Sequence, residues 1–249
     1  MNTDAAPAVE ICYAMKLFLI PVLFLLPTVI LAQGGKPDPA KLVREVRYSQ
    51  AEQSYDLTGK LEKGRLKIPF KMSMIEELSM IRFRFTNPTQ IISLVLKDNR
   101  YELTEQVAGQ KPKELAQSRY GENIRGTDVT YEDISQRFLY WPKPKLVGEE
   151  KLRITVLRDT WVVRLDNPRR LGPYGVVKIW IDKESKALLQ VEGFDWEGRK
   201  IKRFEVINVQ KDQEFGMWLL EKMRVETIDH KGNRKEKTYM AMDKPVKRK

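Results

Sequence analysis

Histidine and cysteine are almost missing from this chain, with one of each among 249 residues. The single cysteine, Cys12, lies ahead of an apolar run that reads as a cleaved leader. The exported chain therefore has no thiol for a disulfide, a zinc cluster or a nucleophile. The single histidine, His230, sits in the polar stretch Asp229-His230-Lys231-Gly232-Asn233 and reads as a solvated turn residue. A histidine-based triad or metal site has almost no material here. No catalytic residue, metal ligand or cofactor is assigned on this sequence. Linker-like Gly/Ser or Pro-rich stretches are also missing, which favours one domain over two. Acids are the minority charge, 34 against 45 Lys and Arg, for a net charge of +11.

Long apolar runs are missing except for one, Leu17 to Leu31, which follows Lys16 and ends at Ala32. A basic residue, an apolar core and a small residue at the end make a secretory leader. The run is shorter than the roughly 20 residues of a spanning helix and is interrupted by Pro21 and Pro27, so cleavage is favoured over a retained anchor, the alternative. Asp4 and Glu10 suit no leader, and Met15 is the expected start. Residues 1–32 are thus read as an upstream extension and signal peptide, and 33–249 as a single domain. Losing Lys16, Asp4 and Glu10 moves the balance from +11 to +12. Such a charge steers a protein toward an anionic membrane surface or an acidic protein. Outside the cytoplasm nucleic acid is not expected as a partner. The basic tail Lys244 to Lys249 is either solvated or touches anionic lipid.

Past the leader, Asp38-Pro39 is a helix start, an acceptor at N-cap with proline at N1, and Leu42, Val43 and Val46 give an amphipathic stripe. From Tyr55 the period falls to two. Leu66, Ile68, Phe70, Met72 and Met74 alternate with polar positions, and Ile81, Phe83 and Phe85 alternate with Arg82 and Arg84. These are half-buried strands with aromatics in and arginines out. Another begins at Ile91 after Asn87-Pro88. Later, 154–165, 176–182, 187–196, 200–210, 217–228 and 235–242 form a meander joined by short polar turns, which favours antiparallel neighbours. About ten to twelve strands with one greasy face must curl into a barrel or half-barrel, unless the sheet splits into two layers. The expected class is mainly β with some helix (α+β).

Between the two sets of strands lies 121–142. Thr130 and Asp133 form a capping box with the shorter acid, and Ile134, Phe138 and Trp141 fall on one helical face before Pro142. A short aromatic-faced helix across the greasy side is expected, either as a plug completing the core or as a lid over a cavity. Asp128, Glu132 and Asp133 are the densest acid group; helix capping and a favourable interaction with the helix N-terminus explain them more cheaply than acid/base work or calcium.

Gly126-Thr127-Asp128-Val129-Thr130-Tyr131-Glu132-Asp133 resembles the Gly-Ser/Thr-Asp-x-Ser/Thr-Tyr-Glu-Asp segment of the outer-membrane lipoprotein-sorting (LolA-like) family. Trp161 to Pro168, Val177 to Asp182, Ala187 to Gly193 and Lys202 to Val206 resemble its successive strands, so the likeness runs from about Pro39 to Asp243. It implies a periplasmic protein with a strongly curved, unclosed antiparallel half-barrel, helices across the concave face and an apolar cavity for acyl chains. The implied function is a non-enzymatic carrier that shelters the acyl chains of a lipoprotein or lipid, which cannot cross water unescorted at about 0.8 kcal/mol per methylene. The alternative is an envelope interaction or stress-sensing module on the same fold. The expected lipid-binding residues are Phe70, Met72, Ile81, Phe83, Phe85, Val163, Val177, Ile179, Phe204 and Val206, with Phe138 and Trp141 on the lid; a monomer is expected.

Overall fold

The computed structural model describes residues 35–51, 55–75, 78–97, 100–211, 218–244 and 246–247. The leader, its cleavage point and Cys12 lie outside the described residues, as does part of the basic tail. Helix α1 (Pro39–Ala51) starts as the sequence predicts, the Ala40 amide donating to Asp38 Oδ1 at 2.9 Å. It buries Leu42, Val43 and Val46 and packs beside the first strand after the insertion.

The strands are β1 (Tyr55–Lys63), β2 (Leu66–Ile75), β3 (Met80–Phe85), β4 (Gln90–Lys97), β5 (Arg100–Val107) and β6 (Lys113–Glu114) before the insertion. After it come β7 (Lys145–Arg153), β8 (Leu157–Asp166), β9 (Val176–Asp182), β10 (Leu188–Phe194), β11 (Lys200–Lys211), β12 (Trp218–Ile228), β13 (Arg234–Met242) and β14 (Val246–Lys247). They make one 14-stranded sheet in the order β6-β5-β4-β3-β2-β1-β13-β12-β11-β10-β9-β8-β7, with β14 beside β1. Every pairing between these strands is antiparallel. The two outermost strands, β6 and β7, do not pair, so the sheet is an unclosed half-barrel. The count exceeds the expected ten to twelve because β6 and β7 are edge pieces without a buried face and β14 is a two-residue strand; β7 is exposed at seven of nine positions.

Pairing joins the two sets of strands through β1 and β13, where Gly59 faces Met242 and Leu61 faces Met240. A side chain at Gly59 would meet the Ala241 carbonyl, so this seam needs glycine. Directly opposed residues share a sheet face. One face therefore collects Ile68, Phe70 and Met72 of β2, Phe83 and Phe85 of β3, Val225 of β12, Phe204 of β11 and Ile179 of β9 into the core. The other face carries a ladder of charges. Lys71 pairs with Asp56 at 2.8 Å, and Arg224 bridges Glu205 and Glu226 at 2.5 and 3.2 Å. Such cross-strand pairs keep that face compatible with water and contribute little each.

Candidate functional site: the concave face and its cover

The apolar face is concave because a wide sheet with one greasy side curls around it. Phe70 opposes Phe85, Met72 opposes Phe83, and Phe204 lies between Val191 and Val225. Phe70 sits 6.0 Å from both Phe83 and Phe85, ring centre to ring centre, with tilted planes. On the far side Val163 opposes Ile179, which opposes Val191. Of the ten residues expected to line the cavity, Phe70, Phe83, Phe85, Val163, Val177, Ile179 and Phe204 fall in one contiguous core. Met72 and Ile81 are half-buried against it. Val206 is buried opposite Met223 but outside that cluster. Phe138 and Trp141 are buried in the same core.

Burial is not even along the face. Phe70, Phe83, Phe85, Phe204 and Val225 are closed, whereas Met72, Met74, Ile81, Met223 and Met240 stay half-buried. Met223 and Met240 lie in register with Leu61 and Ile68, and the closed Gly59–Phe70 pair separates them from Met72 and Met74. Three of these, Met74, Met223 and Met240, were not among the expected lining residues. Alternation places Met223 with Val225, and Met240 with Thr238 and Met242, so extending the period-two reading through β12 and β13 finds them.

The cover is not the continuous helix expected from Ile134, Phe138 and Trp141. Helix α2 (Tyr131–Ser135) ends at Gln136, which adopts a left-handed conformation (φ 46°), and a separate 3-10 turn spans Arg137–Tyr140. The capping box is present: the Asp133 amide donates to Thr130 Oγ1 at 3.2 Å and the Thr130 amide to Asp133 Oδ2 at 2.8 Å.

Capping accounts for Asp133 alone in the acid group. Tyr174 also donates to Asp133 Oδ1 at 2.5 Å, and Lys202 lies 3.6 Å from its Oδ2. Asp128 accepts from Thr238 at 2.8 Å and from Thr227 at 3.3 Å, while Lys63 stands 3.4 Å away. Glu132, with no exposed surface, accepts from Arg137 Nε at 2.6 Å, and its Oε2 has no hydrogen-bond partner among the described residues. Burial pushes the Glu132 carboxyl up to about 7 against the pull of Arg137. Tyr131 donates to Glu105 at 2.5 Å. Burial alone would raise Glu105, but hydrogen bonds from Tyr131, Arg119 and Gln90 outweigh it and hold it below the usual range. Arg125 reaches from the insertion to the carbonyls of Thr86 (2.8 Å) and Pro88 in the β3–β4 turn, with its guanidinium 5.3 Å over the Phe85 ring. The insertion is thus bolted to the sheet and its connectors by the hydrogen bonds of Asp128, Tyr131, Asp133 and Arg125 rather than by apolar packing alone.

Two clefts flank this cover. One, about 480 Å³, is lined by Lys63, Asp128, Tyr174, Lys202 and Glu236 among others. The other, about 790 Å³, is lined by Leu66, Pro69, Pro88, Val107 and Arg125 among others. Glu132 has the displaced titration that often marks a reactive acid, yet it lines neither cleft. What the arrangement offers is apolar area on a curved sheet, half-buried at Met72, Met74, Ile81, Met223 and Met240 and closed over much of the rest.

An unclosed antiparallel half-barrel with helical segments across an apolar concave face is the architecture of the LolA superfamily, and this chain has that fold. A family model described as "Uncharacterized protein" matches residues 107–249, more than half of the chain, and the chain belongs to that family. Among solved structures, the chain is similar to a domain from Vibrio parahaemolyticus described as a candidate outer membrane lipoprotein-sorting protein (TM-score 0.65, 15% identity, covering 84% of this chain and 91% of that one). It is also similar to a DUF1329 family protein from Desulfovibrio piger (0.63, 17%, 84% and 93%) and to a LolA superfamily protein from Nitrosomonas europaea (0.59, 16%, 86% and 94%). No curated protein matches the chain.

Proposed function

We propose that this chain is a non-catalytic periplasmic binding protein that shelters acyl chains of a lipoprotein or lipid on the concave face. The observation that carries the reading is that Met72, Met74, Ile81, Met223 and Met240, four of them methionines, stay only half-buried on a face otherwise largely closed. Methionine is unbranched and polarizable, so it repacks around chains of differing length and unsaturation. A fatty acyl chain laid over such side chains removes apolar area from water at about 25 cal/mol per Å². The carrier-like fold supports the same reading, as does the leader read at 15–32.

Native mass spectrometry of gently purified mature protein tests it. Lipid-bound species, or uptake of a fluorescent fatty acid that lipid displaces, are the expected result. A protein that carries no lipid and takes up no probe would instead be an envelope interaction module, with Phe138 and Trp141 acting as plug.

A further inference from the structure

In an antiparallel meander alternate connectors lie at the same end of the sheet. The β1–β2, β3–β4, β5–β6, β8–β9, β10–β11 and β12–β13 connectors share one end, as the Lys63–Glu236 ion pair across two of them attests. Segments 63–67, 168–171, 195–200 and 229–237 at this end contain eleven Lys or Arg against four Asp or Glu, a balance of +7 in a chain of +11. The remaining two, 86–89 and 108–112, add Lys111 and no acid. Arg65, Lys67, Arg169, Lys231 and Lys235 are exposed and, among the described residues, form no ion pair. At the opposite end Lys183 pairs with Glu149 and Arg158 with Asp182 and Glu184, while Arg153 is exposed and, among the described residues, forms no ion pair. Two large apolar side chains are exposed in this basic rim, each beside cations in sequence: Leu66 (41% exposed) between Arg65 and Lys67, and Leu171 (39%) after Arg169 and Arg170.

We infer that this rim docks on the surface of an anionic phospholipid bilayer, the cations on headgroup phosphates and Leu66 and Leu171 dipping among the glycerol and acyl groups. Cations explain attraction to any polyanion. Leucines projecting among them fit a surface with an apolar layer beneath its charges, and not a fully hydrated polymer. The inference goes beyond carriage of acyl chains: it assigns the membrane-facing end, whether or not the concave face is loaded.

The test is flotation of the mature protein with vesicles of phosphatidylcholine, with and without phosphatidylglycerol. Binding should require the anionic lipid and weaken as salt rises to about 0.15 M, where the screening length is about 8 Å. The quadruple variant Arg65→Glu, Lys67→Glu, Arg169→Glu, Arg170→Glu should lose at least about tenfold in vesicle affinity. Reversing four exposed cations elsewhere, Lys41, Arg44, Lys151 and Arg153, should change affinity far less. Leu66→Ser with Leu171→Ser should weaken binding at fixed charge, and the exposed pair at the opposite end, Val156→Ser with Leu157→Ser, should not. Circular dichroism and fatty-acid probe uptake on the same samples separate loss of docking from loss of folding or of loading. Equal losses from the two charge reversals, unchanged binding by the rim variant, or binding to soluble heparin as tight as to vesicles with no effect of the leucines, would each overturn the inference.

Discussion

Glu132 shows how a single position departs from what its neighbours in sequence suggest. One carboxylate oxygen meets Arg137 at 2.6 Å and the other meets no donor among the described residues; burial leaves the charged form poorly solvated and the carboxyl rises from 4.5 to about 7. A raised acid binds its proton more tightly in the folded chain than in the unfolded one. Between about pH 4.5 and 7 the native state therefore holds the extra proton, and this residue's contribution to stability falls as pH rises. Glu105 acts in the opposite sense and only below the usual carboxylate range, because its carboxyl is held low. Urea unfolding from pH 5 to 8 should show wild-type stability declining relative to Glu132→Gln, whose profile is flatter. Parallel profiles would mean that Arg137 keeps Glu132 ionised throughout. Gly193 is a second such position. A Cβ there would lie 2.5 Å from Tyr174 Cε1, displacing the ring that donates to Asp133. Gly193→Ala should cost about 1–3 kcal/mol by overpacking, measured by the same unfolding experiment.

Elements were legible where one face is buried and illegible where it is not. The stretch 66–74 alternates because β2 has the core on one side, and Val176–Asp182 matches the expected strand at both ends. Strand β7, Lys-Leu-Val-Gly-Glu-Glu-Lys-Leu-Arg, is an edge strand with two half-buried residues, and no alternation betrays it. The expectation of a single helix over the insertion failed at Gln136. Spacing of Ile134, Phe138 and Trp141 fits a helix, but a left-handed residue between them turns the chain so that all three still reach the core. The cap itself was readable, since Thr130 and Asp133 are a local pair. Thr130→Ala removes the acceptor for the Asp133 amide and should destabilise the protein by about 1 kcal/mol, read as a lower midpoint in thermal or urea unfolding. An unchanged midpoint would show that contacts to Tyr174 and Arg137 hold the segment without its cap.

At the scale of the molecule, alternation announced a large curved sheet with one greasy face, while the register that decides which row is open and which is bolted came from pairings across more than a hundred residues. Asp128 meets Thr238, and β1 meets β13, through contacts that no local pattern encodes. Those long-range pairings place the polar bolts at the basic end and Met72 and Met74 farther along the strands. An acyl chain reaching the concave face past Met72 and Met74 breaks none of the ion pairs around Asp128, Glu132 and Asp133. One passing beneath the cover must release Arg125 from the β3–β4 turn as well. The arrangement therefore favours loading from the methionine side. Met72→Trp narrows that side at a half-exposed site, where added volume is tolerated better than in the closed core. It should slow uptake of a fluorescent fatty acid severalfold with little change in unfolding midpoint. Arg125→Ala, which frees the insertion from the turn carbonyls, should leave the uptake rate near wild type. The reverse pattern, faster uptake on loss of Arg125 and none on narrowing at Met72, would place the route under the cover and make the insertion a moving lid.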